Sequence, residues 1–363
     1  MSGRGLPSHF AAVALLVAIG LALPGTARAA EAVALTPHRA SYEVFLDHAS
    51  ADLLSVDGRI AVALSEPGDC QDYGIAYRFV ARFLKDQEIV VTDQQIRLTE
   101  SRDGKSFAFD AQSFVDSLPE MTTKGTAASA DDATVVTYES PVAREVRLAT
   151  STFPVHHTRH VVEAAKAGVP IFESHVFQGD ADAEKNMTST VVITPLGAEA
   201  IAGEIAGYGA APAQKADVDG SDGAVDEGKS DEAGDAMAGE EPDGAASQEE
   251  ATRPQDDSAA GDDAPLAAET PAGPDVAVTD STAADPAAIA ERLNGLKAWK
   301  ITESFYNSDS DEDGLPVFET TYTLFENGVT GNQLLKYDGY TLKARLSSLE
   351  LDTAPACKGP SGD

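Results

Sequence analysis

Apolar and polar residues alternate with a period of two along most of this chain. Over 317–325, Phe318, Tyr322 and Leu324 share one parity and Glu319, Thr321 and Thr323 the other, which predicts a strand with one wet face. Glu326-Asn327-Gly328 supplies residues suited to positive φ, so the chain turns there. The pattern repeats over 333–337 and 340–346 around a second turn at Asp338-Gly339. Its parity then slips between Leu346 and Leu349, the mark of a β-bulge or a bend. Upstream, Tyr42, Val44 and Leu46 alternate with Ser41 and Glu43, and further strands are expected over 56–64, 74–83, 89–98, 106–114, 122–128, 134–139, 144–149, 169–177, 187–194 and 299–306. Turn signals between them recur every ~8 to 12 residues, the rhythm of an antiparallel sheet or barrel.

One stretch breaks this period. Residues 154–167, PVHHTRHVVEAAKA, combine helix formers with a Pro in the first turn, and Gly168 followed by Pro170 ends them. Val155, Val162 and Ala165 form one narrow apolar stripe, which sets a single helix against a curved sheet. The expected fold is all-β and mainly antiparallel, a single-domain barrel-like sheet with one helix packed on it.

Composition changes the picture at two places. Residues 1–29 carry Arg4, an apolar run from Phe10 to Leu23, Pro24 and Ala27-Arg28-Ala29, which together read as a secretory signal peptide. The run is short for a bilayer span, and no other run approaches the roughly 20 residues that a membrane helix needs. No cysteine follows the cleavage site, which disfavours a lipid anchor. Residues 209–297 contain no Phe, Tyr or Trp and are dominated by Ala, Gly, Asp, Glu, Ser and Pro. Such a segment cannot bury enough apolar surface to offset its ordering entropy, so it reads as a disordered acidic insertion, with at most one short helix at 286–293. The sheet resumes at Trp299, so 30–208 and 298–363 are expected to form one continuous domain.

The formal charge of −34 follows the same division, because 213–285 alone holds 21 acidic residues against Lys215, Lys229 and Arg253. Phosphate binding requires clustered Lys and Arg, which this chain lacks, so nucleic acid is excluded as a partner. The two cysteines are Cys70 and Cys357. In an oxidising compartment they are natural partners in one disulfide, with two buried thiols as the alternative. A bond would hold the two ends of the mature chain within about 6 Å, Cα to Cα, which favours one closed domain over two.

The remaining motifs carry little chemistry. Gly223 to Ser230 satisfies the phosphate-loop spacing, but it lies inside the acidic segment with no strand before it and no apolar helix after it. Asp309, Asp311 and Asp313-Gly314 resemble the first half of a calcium loop. The twelfth position is Thr320 where a bidentate Glu is required, so an acidic hairpin loop is the preferred reading and low-affinity calcium capture the alternative. His156, His157 and His160 cluster on the helix with no third zinc ligand in sight, which favours surface or capping roles. No G-x-S-x-G elbow occurs, and a disulfide would remove the thiols as nucleophiles.

The motifs Leu35-Thr-Pro37-His38-Arg39-Ala40-Ser-Tyr42, Gly68-Asp69-Cys70, Phe153-Pro154 with Glu163 to Gly168, and Phe325-Glu-Asn327-Gly328-Val329 through Leu349-Glu350 to Cys357 resemble the cell-envelope integrity EipB family of periplasmic proteins. The likeness covers most of the mature chain apart from the acidic segment, which departs from the family pattern. It implies an antiparallel β-spiral around a central helix, a disulfide between Cys70 and Cys357, and a non-enzymatic role in keeping the envelope of a Gram-negative bacterium intact. The spiral is similar in outline to lipoprotein-carrier folds. The expected protein is thus a periplasmic binding or scaffolding protein without cofactor, whose curved sheet accepts an apolar or lipid ligand, a lipoprotein or a protein partner. The rival reading is an envelope-polymer hydrolase using paired carboxylates, Asp110 with Asp116 or Glu303.

Overall fold

The computed structural model describes residues 33–48, 53–67, 70–86, 88–209, 286–311 and 314–353. The proposed signal peptide, the phosphate-loop spacing at 223–230, most of the acidic segment, Asp313 and Cys357 lie outside the described residues.

Fourteen strands form one sheet. The first eight are β1 (His38–His48), β2 (Leu53–Ser65), β3 (Asp72–Lys85), β4 (Glu88–Ser101), β5 (Ser106–Val115), β6 (Leu118–Ser129), β7 (Thr134–Ser140) and β8 (Arg144–Leu148). Helix α1 (Pro154–Ala167) separates them from β9 (Ile171–His175) and β10 (Thr188–Pro195), after which come α2 (Ala198–Ala206) and α3 (Pro286–Leu293). The chain closes with β11 (Ala298–Tyr306), β12 (Phe318–Phe325), β13 (Thr330–Tyr337) and β14 (Tyr340–Leu351).

Strand order across the sheet is β8-β7-β6-β5-β4-β3-β2-β1-β14-β13-β12-β11-β10-β9, and every neighbouring pair is antiparallel. Each half of the chain is thus a run of neighbouring strands, and the two runs are joined where β1 meets β14. The expected slip in β14 is present there: Ser41 faces Ser348 but Tyr42 faces Leu346. Ser347 is the extra residue, buried, with its hydroxyl donating to the Ser41 carbonyl. The bulge lets Leu346 and Leu349 both reach the core despite their odd spacing. Gly328 and Gly339 supply the positive φ that their two hairpin turns demand.

The outermost strands also approach one another. Just past β8, Thr152 donates its N–H to the His175 carbonyl and accepts from Phe177, a parallel bridge that ties the two edges at one point. The sheet therefore winds into a barrel-like spiral that is closed only locally.

Helix α1 lies inside this spiral. Its buried residues, Val155, His157, Val161, Val162, Ala164 and Ala165, cover more than the narrow stripe expected from the sequence. The reason is that strands meet it from both sides: Leu64 and Tyr73 from β2 and β3, and Val191, Trp299, Ile301 and Leu324 from β10 to β12. Gly168, at φ 75°, ends the helix, with its own N–H and that of Val169 closing on Ala165 and Ala164.

Two expectations need correction. The acidic segment was expected to run to residue 297, yet α3 and the strand lead-in belong to the folded domain, because Ile289 and Leu293 are buried in one cluster with Tyr42, Phe325 and Leu346. Helix α2, an Ala-rich element that the strand periodicity did not announce, joins the same cluster through Ile205 and the adjoining Tyr208. Both helices are short and rely on tertiary packing rather than propensity.

Candidate functional site

Helix α1 begins without a side-chain cap of its own, because Phe153 occupies the N-cap position and Pro154 follows it. The orphan donors of its first turn are satisfied from across the spiral. Glu100, at the inward end of β4, accepts the N–H groups of Val155 at 2.7 Å and His156 at 2.9 Å. Its carboxylate also pairs with His156 Nδ1. Arg159 donates toward His156 Nε2 at 3.3 Å and to the Tyr73 hydroxyl at 2.6 Å, so Nδ1 is the nitrogen that carries the proton toward Glu100. A carboxylate at a helix N-terminus is favoured by both the free N–H groups and the macrodipole.

One residue on, a second buried carboxylate repeats the arrangement. Glu303 on β11 accepts from His157 Nε2 at 2.6 Å, from Ser189 at 2.5 Å and from the Tyr322 hydroxyl at 3.1 Å. Burial alone would raise its pKa, but the hydrogen bond and charge of His157, with Ser189 and Tyr322, outweigh that and hold it below the ordinary carboxylate value. Ser174 stands 3.3 Å from His157 Nδ1, so Ser174, His157 and Glu303 are in hydrogen-bond succession. Glu303 is 4% exposed and its oxygens are shared among three donors, so the cluster pins α1 to the sheet wall.

These placements revise the sequence reading of the histidines. His157 is a core residue and neither a surface nor a capping one. His156 and His160, proposed to share a face, have separate partners: Glu100 for the first and the Phe172 ring, 4.6 Å away, for the second. Among the described residues no three His, Cys, Asp or Glu side chains converge as a metal site. Asp309 and Asp311 fall in a 3-10 turn, Ser308–Asp311. The carboxylates proposed for hydrolysis are not assembled. Asp110 is in register with Arg97 and Lys124 on the outer face of the sheet, Glu303 is on the inner face, and Asp116 accepts from the Val91 N–H in the turn after β5.

Helix α1 fills only part of the interior. Beyond it the inner face of β4 to β6 leaves a cavity of about 410 Å³, walled by Ile96, Leu98, Phe109, Met121 and the loop from Val176 to Ala183. A second of about 260 Å³ is walled by Tyr77, Phe79, Phe83, Leu335, Tyr337 and Tyr340. Gln94 belongs to both walls, so the two cavities adjoin at β4 and together make up the cleft beyond the helix. Rings from successive strands form a chain that ends on the second cavity, where Tyr337, Tyr340 and Phe83 are wall residues: Phe305 and Phe318 are 5.8 Å apart, Phe318 and Tyr337 5.0 Å, Tyr337 and Tyr340 5.0 Å, and Tyr340 and Phe83 6.4 Å. Burial and the neighbouring Tyr340 push the Tyr337 phenol up to about 12, so it stays a neutral, largely apolar wall.

Sequence reasoning missed Glu100 and the cleft residues. The signal for Glu100 was present: in Gln94, Ile96, Leu98, Glu100 an acid holds the apolar parity of the strand. Glu303 does so in Trp299, Ile301, Glu303, Phe305. A carboxylate at an inward position needs partners inside, and α1 provides them.

Comparison with known proteins agrees with this architecture. The family model described as EipB-like matches residues 29–214 and 256–352. The curated protein "Cell envelope integrity protein EipB" of Brucella abortus is 23% identical over 330 residues, covering 90% of this chain and 88% of its own. A crystal structure of a beta-barrel-like protein of a domain of unknown function, also from Brucella abortus, superposes with a TM-score of 0.62 at 21% identity, covering 89% of this chain and 100% of that one. That likeness establishes the barrel-like fold. With the model matched over both halves of the sheet, the chain belongs to the EipB-like family.

Proposed function

We propose that this protein is a periplasmic, non-enzymatic binding protein that supports envelope integrity by holding an apolar chain, from a lipid or a lipidated partner, in the open part of its spiral. The observation that carries the reading is the aromatic cleft that α1 leaves empty, with half-buried Tyr77, Phe79, Phe83 and Ile96 on its walls. The larger cavity, about 410 Å³, is of the size that small-molecule sites have, roughly 300 to 1,000 Å³, and the adjoining one adds about 260 Å³. The name of the Brucella relative, a cell envelope integrity protein, supports the envelope role. Delipidated protein is expected to bind a fluorescent acyl probe saturably, and Ile96→Arg, which puts a charge into the cleft, is expected to abolish binding while leaving the fold intact by circular dichroism. No saturable binding by the parent protein would overturn the reading.

We also propose the Cys70–Cys357 disulfide. His38 on β1 pairs with Leu64 on β2 and with Leu351 on β14, and each cysteine lies six positions beyond its strand partner of His38. Two strands flanking a third are separated by about 10 Å, a gap that six residues on each side close without strain. Mass spectrometry of non-reduced peptide digests tests the linkage.

A further inference from the structure

Among the described residues no charged side chain lines the smaller cavity, and half of its wall is aromatic. Tyr77, Phe79 and Phe83 come from β3, where the period of two sets all three on the inner face, and Tyr337 and Tyr340 come from β13 and β14. The last two are partners in the ladder on either side of the Asp338-Gly339 turn, with their rings stacked. Phe83 meets Tyr340 at 75°, so the rings turn a corner around the cavity and do not form one flat stack. None of the five is fully covered, which leaves ring surface that the core does not use. The rest of the wall is aliphatic apart from the Thr92 hydroxyl and the Gln94 amide. Burial holds the Tyr77 and Tyr340 phenols above their ordinary values, as it does Tyr337, so the rings stay uncharged.

Such a wall discriminates among charged groups. An anion meets no cation on it and would lose its hydration without return. A primary ammonium brings three N–H donors, and the wall side chains offer only the Thr92 hydroxyl and the Gln94 amide oxygen to receive them. A fully methylated ammonium has no N–H to leave unpaired. Its methyl groups bury against the rings, and its charge is drawn to their negative faces. We propose that the smaller cavity binds a quaternary ammonium group of the choline type, with Phe83 and Tyr340 at the corner that receives it. The proposal rests on the reading of the open half as a binding cleft. It adds a preference that apolar area alone does not give, for a cation over an uncharged group of the same shape.

Titration calorimetry of choline against 3,3-dimethylbutan-1-ol, which carries carbon in place of the nitrogen, isolates the charge. Choline is expected to bind roughly tenfold more tightly, the scale of a cation over desolvated rings, and ethanolamine at least roughly tenfold more weakly than choline. Tyr340→Leu combined with Phe83→Leu removes two rings at constant net charge and is expected to bring choline down to the level of the alcohol, whereas Tyr340→Phe keeps the preference. Without any variant, the N-methyl proton resonance of choline should move upfield on binding, as protons over ring faces do. Dodecylphosphocholine below its micellar range tells the source: tighter binding than choline marks a lipid head group, and binding no tighter marks a free solute. Equal affinities for choline and the alcohol, or a preference that survives the double substitution, overturns the quaternary-ammonium assignment alone while acyl-probe binding stands. If the parent protein binds neither choline nor the acyl probe, the cleft reading falls with it.

Discussion

The two halves of the spiral interior solve the same problem in opposite ways. Where α1 lies, the sheet is filled: Val161, Val162, Val191 and Ile301 have no exposed surface, and each buried carboxylate has several donors. Beyond the helix the inner face stays open, Tyr77, Phe79 and Phe83 are only half-buried, and the Asp180 carboxyl is held by the backbone N–H groups of Gln178 and Asp180 with no cation paired to it among the described residues. Their carboxylates report the difference. Glu303 in the filled half is held below the ordinary pKa, whereas Asp180 in the open half is pushed above it. The filled half is closed by its own side chains, and the open half is where the proposed ligand would sit.

Four experiments break or sharpen this contrast. Removing the proposed sulfur tie by Cys70→Ser should have the largest effect, up to on the order of 5 kcal/mol from the long loop it closes, read from urea unfolding midpoints. Glu303→Ala strands His157, Ser189 and Tyr322 inside the filled half and should cost about 3 to 5 kcal/mol. A smaller effect is expected in the open half: Phe79→Ala should cost about 1 kcal/mol or less, because the ring is only half-buried, while acyl-probe affinity falls by tenfold or more. Substantial destabilisation by Phe79→Ala would show that the two halves do not differ as described.

The smallest effects are pH-dependent and opposite in sign. Glu303 has a depressed folded pKa, so its contribution to stability is present above the unfolded value of about 4.5 and is lost as pH falls through the folded pKa. Asp180 has a raised folded pKa, so it lowers stability as pH rises from its unfolded value of about 3.8 through the folded one. Glu303→Gln should flatten the acid limb of a melting-temperature profile, and Asp180→Asn should raise the melting temperature slightly at neutral pH without added ligand.

Local pattern was enough to read the strands, the limits of α1, the Asn327-Gly328 and Asp338-Gly339 hairpins and the slip at Ser347. All of these depend on residues a few positions apart, where alternation and turn chemistry act directly. Resemblance to the EipB family extended that reading to a spiral with a helix inside. The sequence could not say that Glu100 caps α1 from 55 residues away or that Glu303 meets His157 across 146 residues, because such pairs exist only once the sheet has wound round the helix. The cleft escaped for the same reason. Phe79 and Phe107 both stand on inward parity in the sequence, and only the folded chain decides that Phe153 and Phe177 cover Phe107 while Phe79 faces a cavity.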